Sequence, residues 1–299
     1  MSNTRLKGIK HQAVLCGLLL LAASPCSSAF AQTYTTSSDS EMQPVSGSPF
    51  APGNVVGSQA GGPTSTSMTR TAQSNGYTFT FTGKSAAARG SLHASASYTL
   101  TKSGACVSPC APENNGWGGH SGAHWTEYGV EAAGPANLLD QVASYEVTWD
   151  TDGTFTGPGN VSVAYLAATV TQGSEEPSIY NWLDGADQVV SFDLKPSNPL
   201  SPFTLDFYLY AQAISNIVSV TSASSNYYDT ATLGSFEALN ASGQIIPGIE
   251  LELSDGTFIG PNGFTTTPPT TATPEPSSLI LLGTGLVGVA GAMRRRLWV

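Results

Sequence analysis

The chain has 299 residues, 32 of them glycine and 19 proline, with only 11% charged side chains and a formal net charge of −10. Six of its 11 basic residues lie in the two terminal segments, so residues 32–273 hold five Lys/Arg against 20 Asp/Glu, and five minus 20 gives −15. A body of that sign excludes nucleic acid and anionic lipid, both of which need a basic face, while tolerating cations such as calcium.

At the N-terminus, Arg5, Lys7 and Lys10 precede the apolar run AVLCGLLLLAA, and small residues follow up to Ala29-Phe30-Ala31. This is the basic region, hydrophobic region and A-x-A site of a secretory signal peptide, residues 1–31, with Gln32 as the first mature residue. The Sec translocon and signal peptidase are the partners it implies. An N-terminal anchor is the alternative, but the apolar core is about half of the ~20 residues that span a bilayer.

Residues 32–71 are rich in Ser, Thr, Gly and Pro, lack a clear hydrophobic period, and are expected to form a flexible arm. From residue 72 to 264 the chain reads as strands. Tyr77, Phe79 and Phe81 alternate with threonines. Leu92, Ala94, Ala96, Tyr98 and Leu100 share a face, as do Tyr145, Val147 and Trp149; Val161, Val163 and Tyr165; and Phe203, Leu205, Phe207 and Leu209. Period-two alternation means strands with one face on a core and one in water. Turns are expected at DTDGT, GPGN, LDGAD, NASGQ and LSDGT, and no helix of ten or more residues is expected. The fold class expected is all-β, a two-sheet antiparallel sandwich of jelly-roll or Greek-key type.

Four motifs inside the body offer chemistry. Cys106 and Cys110 are the two cysteines left after residue 31, and an oxidising compartment favours a disulfide between them. With His120, His124 and Glu127 they also offer zinc-type ligands, although the intervening segment is too short and Gly/Asn-rich for a finger. His120 and His124 are then exposed loop residues. Asp150 and Asp152 in WDTDG resemble the start of a calcium loop, but the later ligands do not follow, which leaves a hairpin turn. Trp117 and Trp125 in NNGWGGHSGAHW could stack on a sugar or equally cap the core.

No catalytic residues are expected: there is no G-x-S-x-G elbow, and nothing pairs two carboxylates at glycosidase separation. No cofactor is expected either. GTGLVG at residues 283–288 matches a dinucleotide fingerprint only as a string, because it lies within an apolar run.

The C-terminus follows a Thr/Pro linker, residues 265–276. Pro274-Glu275-Pro276 precedes an uncharged apolar run, residues 277–293, and then Arg294, Arg295 and Arg296 within a basic tail, residues 294–299. The run lies at the short end of the spanning range, and adjacent arginines hold that end cytoplasmic. This order of Pro-Glu-Pro, short Gly-rich span and arginine cluster resembles the PEP-CTERM sorting signal of bacteria. The segment YYDTATLGSFEALNASGQIIPGIELELSDGTF is similar to a late hairpin region of β-rich proteins that bear this signal. The resemblance implies a membrane protease of the exosortase family that cuts near Pro-Glu-Pro, transient anchoring in the inner membrane, and release to the cell surface or matrix of an exopolysaccharide-producing bacterium. A structural or adhesive role follows from it. A carbohydrate-binding module for secreted polysaccharide is the alternative, and a secreted hydrolase a third reading.

Overall fold

The computed structural model describes residues 34–44, 53–74, 77–102, 117–157, 162–175, 178–215 and 221–269. The strands are β1 Tyr34–Pro44, β2 Gly53–Ala60, β3 Thr64–Ser74, β4 Tyr77–Ala88, β5 Ser91–Lys102, β6 Trp117–Ala133, β7 Val142–Thr156, β8 Ser162–Gln172 and β9 Ser174–Glu175. β10 Ile179–Trp182, β11 Gln188–Leu194, β12 Phe203–Ser215, β13 Ser222–Asn240, β14 Glu250–Glu252, β15 Phe258–Gly260 and β16 Gly263–Thr265 complete the set. One helical turn, α1 Ala136–Leu139, links β6 to β7.

Two antiparallel sheets result. The smaller has the order β11-β7-β13-β5-β4-β3; the larger runs β10-β8-β12-β6, with β1 and then β2 beyond one half of β6 and β14-β15-β16 beyond the other. The chain changes sheet at β2–β3, β5–β6, β6–β7, β7–β8, β10–β11, β11–β12, β12–β13 and β13–β14, and late strands insert between early ones: β12 between β8 and β6, β13 between β7 and β5. Those crossings are the Greek-key-like winding that the many short alternating strands imply.

The inner faces interdigitate as expected. Phe79, Phe81, Leu92, Ala94, Tyr145, Val147, Trp149, Phe203, Leu205, Phe207 and Leu209 are all buried. Trp125 stacks on Phe207 at 5.4 Å and meets Trp149 edge-on at 6.0 Å. Full burial of one large apolar side chain contributes about 1.5–3 kcal/mol, so this cluster dominates the core.

Three expectations are corrected. The first concerns residues 32–71, whose described part is three strands instead of a flexible arm: β1 pairs with β6 from Tyr34↔Glu127 to Pro44↔Trp117, and β3 pairs with β4. The alternation is present but written in hydroxyls. Thr36, Ser38, Ser40 and Met42 point inward and are buried, while Asp39 and Glu41 point out. Most of the buried hydroxyls here are bonded, Ser38 Oγ excepted: Thr36 Oγ1 donates to the Gly62 carbonyl at 2.6 Å, Ser40 and Ser121 share a bond at 2.9 Å, and Ser85 Oγ donates to the Asp39 carbonyl at 2.8 Å. Small partners make room, since a Cβ on Gly83 would stand 2.5 Å from Ser121 Oγ.

The second concerns DTDGT, which lies inside β7 and does not form a turn; Asp150 pairs with Val189 and Thr232 in extended strand. Gly153 is needed there because the Tyr227 ring lies over it, 2.3 Å from where a Cβ would be. The turns at NASGQ and LSDGT do form, with Gly243 and Gly256 at positive φ. The third is β8, whose buried face is Ala164, Leu166, Ala168 and Val170, while Val163 and Tyr165 face outward. Both faces of that strand are apolar enough for either choice, and the core took the smaller residues.

Candidate functional site

The side of the larger sheet that faces away from the core carries a cross-strand array of rings. In one row, Trp182 on β10 is opposite Tyr165 on β8, Tyr165 is opposite Tyr210 on β12, Tyr210 is opposite Gly122 on β6, and Gly122 is opposite Asp39 on β1. The next row runs Tyr180, Ala167, Tyr208, His124 and Ser37. A flanking row brings Gln212, His120 and Glu41 together. Neighbouring strands are about 4.8 Å apart, so rings on adjacent strands touch. Tyr165 stacks on Tyr210 at 4.8 Å and meets Trp182 at 5.3 Å and Tyr180 at 5.4 Å edge-on. His124 stacks on Tyr208 at 3.9 Å, and His120 on Tyr210 at 5.0 Å.

The outer end of this array is open to solvent. Trp182 is 67% and Tyr180 56% exposed, in contrast to the 0% of Trp125 on the inner face. Toward β1 the array becomes polar. Nε2 of His120 lies 3.3 Å from Asp39 and 3.9 Å from Glu41, and Nδ1 of His124 lies 3.8 Å from Asp206. Thr126 Oγ1 donates to Asp206 at 2.5 Å. Gly122 is what allows the join: a Cβ there would stand 2.6 Å from both Asp39 Oδ1 and the Tyr208 hydroxyl. Burial pushes the Tyr208 and Tyr210 phenols well up, and the Asp39 carboxylate adds to both shifts. Burial also raises Tyr165, with Tyr180 and Asp39 adding to it. All three therefore present neutral hydroxyls at physiological pH. Exposed rings beside neutral hydroxyls and carboxylates can stack on the C–H face of a sugar and hydrogen-bond its rim.

The residues chosen from sequence fare differently. Trp125 cannot be a sugar platform: it is sealed in the core, where its Nε1 donates to Glu127 Oε1 at 3.1 Å. Trp117 begins β6, and its side chain is outside the described set. His120 and His124 are strand residues of the ring array, not exposed loop residues.

Nor do the two histidines share a zinc site with Glu127. Four strand residues separate them by about 13 Å, and Glu127 is on the opposite face, bound to Arg89 at 2.6 Å and 3.3 Å. Arg89 in turn donates to Asp255 at 2.6 Å and 3.2 Å, so the buried Glu127 is the inner end of a clamp that joins the β4–β5 turn, β6 and the β14–β15 turn and opens to solvent at Asp255. Among the described residues no group of three or more His, Cys, Asp or Glu is arranged to hold a metal ion. The signal peptide with Ala29, Ala31 and Gln32, the pair Cys106–Cys110, the motif Pro274-Glu275-Pro276, the apolar run and Arg294–Arg296 all lie outside the described residues. Among the described residues no helix is long and apolar enough to cross a membrane.

Sequence reasoning missed Tyr165, Tyr180, Trp182, Tyr208 and Tyr210. The signal was present in FTLDFYLYAQ, where the even positions Tyr208 and Tyr210 are as bulky as the odd ones, which a strand with one face in plain water does not need.

A second polar group lies on the outer face of the smaller sheet. The Tyr228 carbonyl accepts from His93 Nδ1 at 2.5 Å, which leaves Nε2 to accept from Ser91 Oγ at 2.8 Å. The β13 register shifts against both neighbours around this residue, so His93 satisfies a carbonyl that the ladder leaves unpaired. That accounts for the pair structurally.

Comparison with known proteins bears on the C-terminal segment. Residues 272–296 match the PEP-CTERM protein-sorting motif. The chain carries an exosortase-type sorting signal. No curated protein matches the chain. Among solved structures, the enzymatically active domain of tailspike protein 4 of bacteriophage CBA120 is similar at 11% identity, over 58% of this chain and 19% of that one, with a TM-score of 0.21. The sorting signal implies export, transient anchoring in a membrane and delivery to the surface, with exosortase, a membrane protein, as the processing partner.

Proposed function

We propose that this is an adhesive surface or matrix protein that binds secreted polysaccharide through the outer ring array of its larger sheet. The observation that carries the reading is the row that opens at Trp182, 67% exposed, beside Tyr180, 56% exposed, and runs inward over the partly buried rings of Tyr165 and Tyr210. It acts by binding and not by turnover. Signal peptidase releases Gln32, the Cys106–Cys110 disulfide pins a local loop, and exosortase cuts near Pro276 to free the acidic body from the apolar run and Arg294–Arg296. Linkers rich in Thr and Pro are stiff and extended, which holds the cut site clear of the sandwich.

Two experiments test the two halves. On an array of bacterial polysaccharides, the protein from the exported fraction shows saturable binding that Trp182→Ala together with Tyr165→Ala removes; binding unaffected by the double change overturns the site. In the native host, Glu275→Ala leaves the protein in the inner membrane, while the natural sequence is shortened by roughly 25 residues, the length of the matched motif. Equal length and location of the two overturns the processing.

A further inference from the structure

We infer that the polysaccharide taken by the ring array carries free ammonium groups, as a hexosamine polymer with unacetylated amines does; this rests on the sugar-binding reading above. The permanently charged side chains beside the rings on that side of the sheet are acidic, with His120 and His124 lying against them. Asp39 and Glu41 project from β1 and Asp206 from β12, their side chains 23%, 24% and 33% exposed, and all beside the rings. The five Lys and Arg of residues 32–273 are elsewhere. Arg70 is on β3, Lys84 on β4 and Lys102 on β5, all in the smaller sheet. Arg89 is held between Glu127 and Asp255, and Lys195 follows β11 and pairs with Asp193 at 2.6 Å. No described Lys or Arg is thus placed to meet a uronate or a sulfate.

Rings with adjacent carboxylates are the two features that attract an ammonium ion: the π-face by its quadrupole, the carboxylate by its charge. The row from Trp182 through Tyr165 and Tyr210 to Asp39 supplies both along one line across the strands. A polymer lying on that line sets ring faces on Trp182 and Tyr165 and an amine toward Asp39 and Glu41. An acidic polymer on the same line would bring its charge against theirs with no Lys or Arg among the described residues of that face.

The test uses the protein from its host's exported fraction, at low and high salt. The probes are glucosamine oligomers, the same oligomers N-acetylated, a neutral glucan, a polyuronate and a lysine oligomer. The expected result is roughly tenfold tighter binding of the free-amine oligomer than of its acetylated form, weakened by salt, and no binding of the polyuronate. Asp39→Asn with Glu41→Gln abolishes that preference while the acetylated oligomer binds as before. Equal binding of the amine, acetylated and neutral polymers overturns this inference and leaves the sugar reading intact. Binding of the lysine oligomer as tightly as the amino sugar overturns it in favour of a peptide partner. Absence of binding to every saccharide sinks both readings.

Discussion

Trp125 and Phe207 stack at 5.4 Å on the inner side of the larger sheet; one residue back on β6 and one on along β12, His124 and Tyr208 stack at 3.9 Å on the outer side. The two pairs share the same strands and nearly the same register. They differ in what surrounds them. The inner pair meets Trp149 and a clamped carboxylate, with water excluded. The outer pair continues into a row that ends at a tryptophan two-thirds in solvent. Ring stacking across two strands is therefore not in itself a sign of core or of site; the end of the row decides.

If that distinction holds, the inner face dominates stability. Trp125→Ala is expected to cost about 3–5 kcal/mol, because it opens a cavity and removes a donor from Glu127, and equilibrium unfolding in urea measures it. Trp182→Ala is expected to stay within about 0.5 kcal/mol. Similar losses from the two would erase the contrast.

Glu127→Ala is expected to cost about 3–5 kcal/mol by leaving the mostly buried Arg89 without the fully buried one of its two carboxylates, read in the same unfolding assay. A cost near zero would mean that Asp255 alone neutralises the guanidinium.

The clamp also sets a pH response. Burial works against the charge on Asp255, but hydrogen bonds from Arg89 and Thr257 outweigh it and hold the carboxyl at about 2. Its folded pKa is thus below the unfolded value near ~3.9. The stability it contributes is complete above about pH 4 and is lost as pH falls toward 2. Glu127 runs the other way: burial raises it, offset in part by Arg89 and Trp125, so its contribution declines as pH rises through the ordinary glutamate range. Asp255→Asn should lower thermal stability above about pH 4, where that contribution is complete, and flatten the acid limb, so that variant and natural protein converge toward pH 2. An unaltered acid limb would contradict the assignment.

A smaller loss than at Trp125 or Glu127 is expected at His93→Ala, which removes one hydrogen bond to the Tyr228 carbonyl at the β13 irregularity and costs about 1 kcal/mol. A loss several times larger would give the Ser91–His93 pair a role beyond that strand junction.

The all-β class and most of the core were legible because Phe79, Trp149 and Leu205 obey a hydrophobic period of two. β1 was not, since its period is hydroxyl against acid in TTSSDSE, and a serine reads as loop unless its partner strand is known. Nor was the ring array. Tyr165, Tyr180, Trp182, Tyr208 and Tyr210 come from three strands, and only the insertion of β12 beside β8 makes them neighbours. Trp125 misled for the opposite reason: its Gly-rich surroundings suggested an exposed loop, whereas those glycines admit Phe81 and Tyr208 against a buried strand. The sorting signal was readable in full because order and composition specify it, with no tertiary context.

The central claim is that the outer row binds saccharide while the inner row holds the fold. Tryptophan emission tests it directly, since Trp182 is exposed while Trp125 and Trp149 are buried. Titrating the exported protein with a soluble glucosamine oligomer should change the emission saturably. The change should vanish in Trp182→Phe, and Tyr165→Ala should lose binding at an unaltered melting temperature. A change that persists in Trp182→Phe, or a Tyr165→Ala protein that binds as before, would contradict the account.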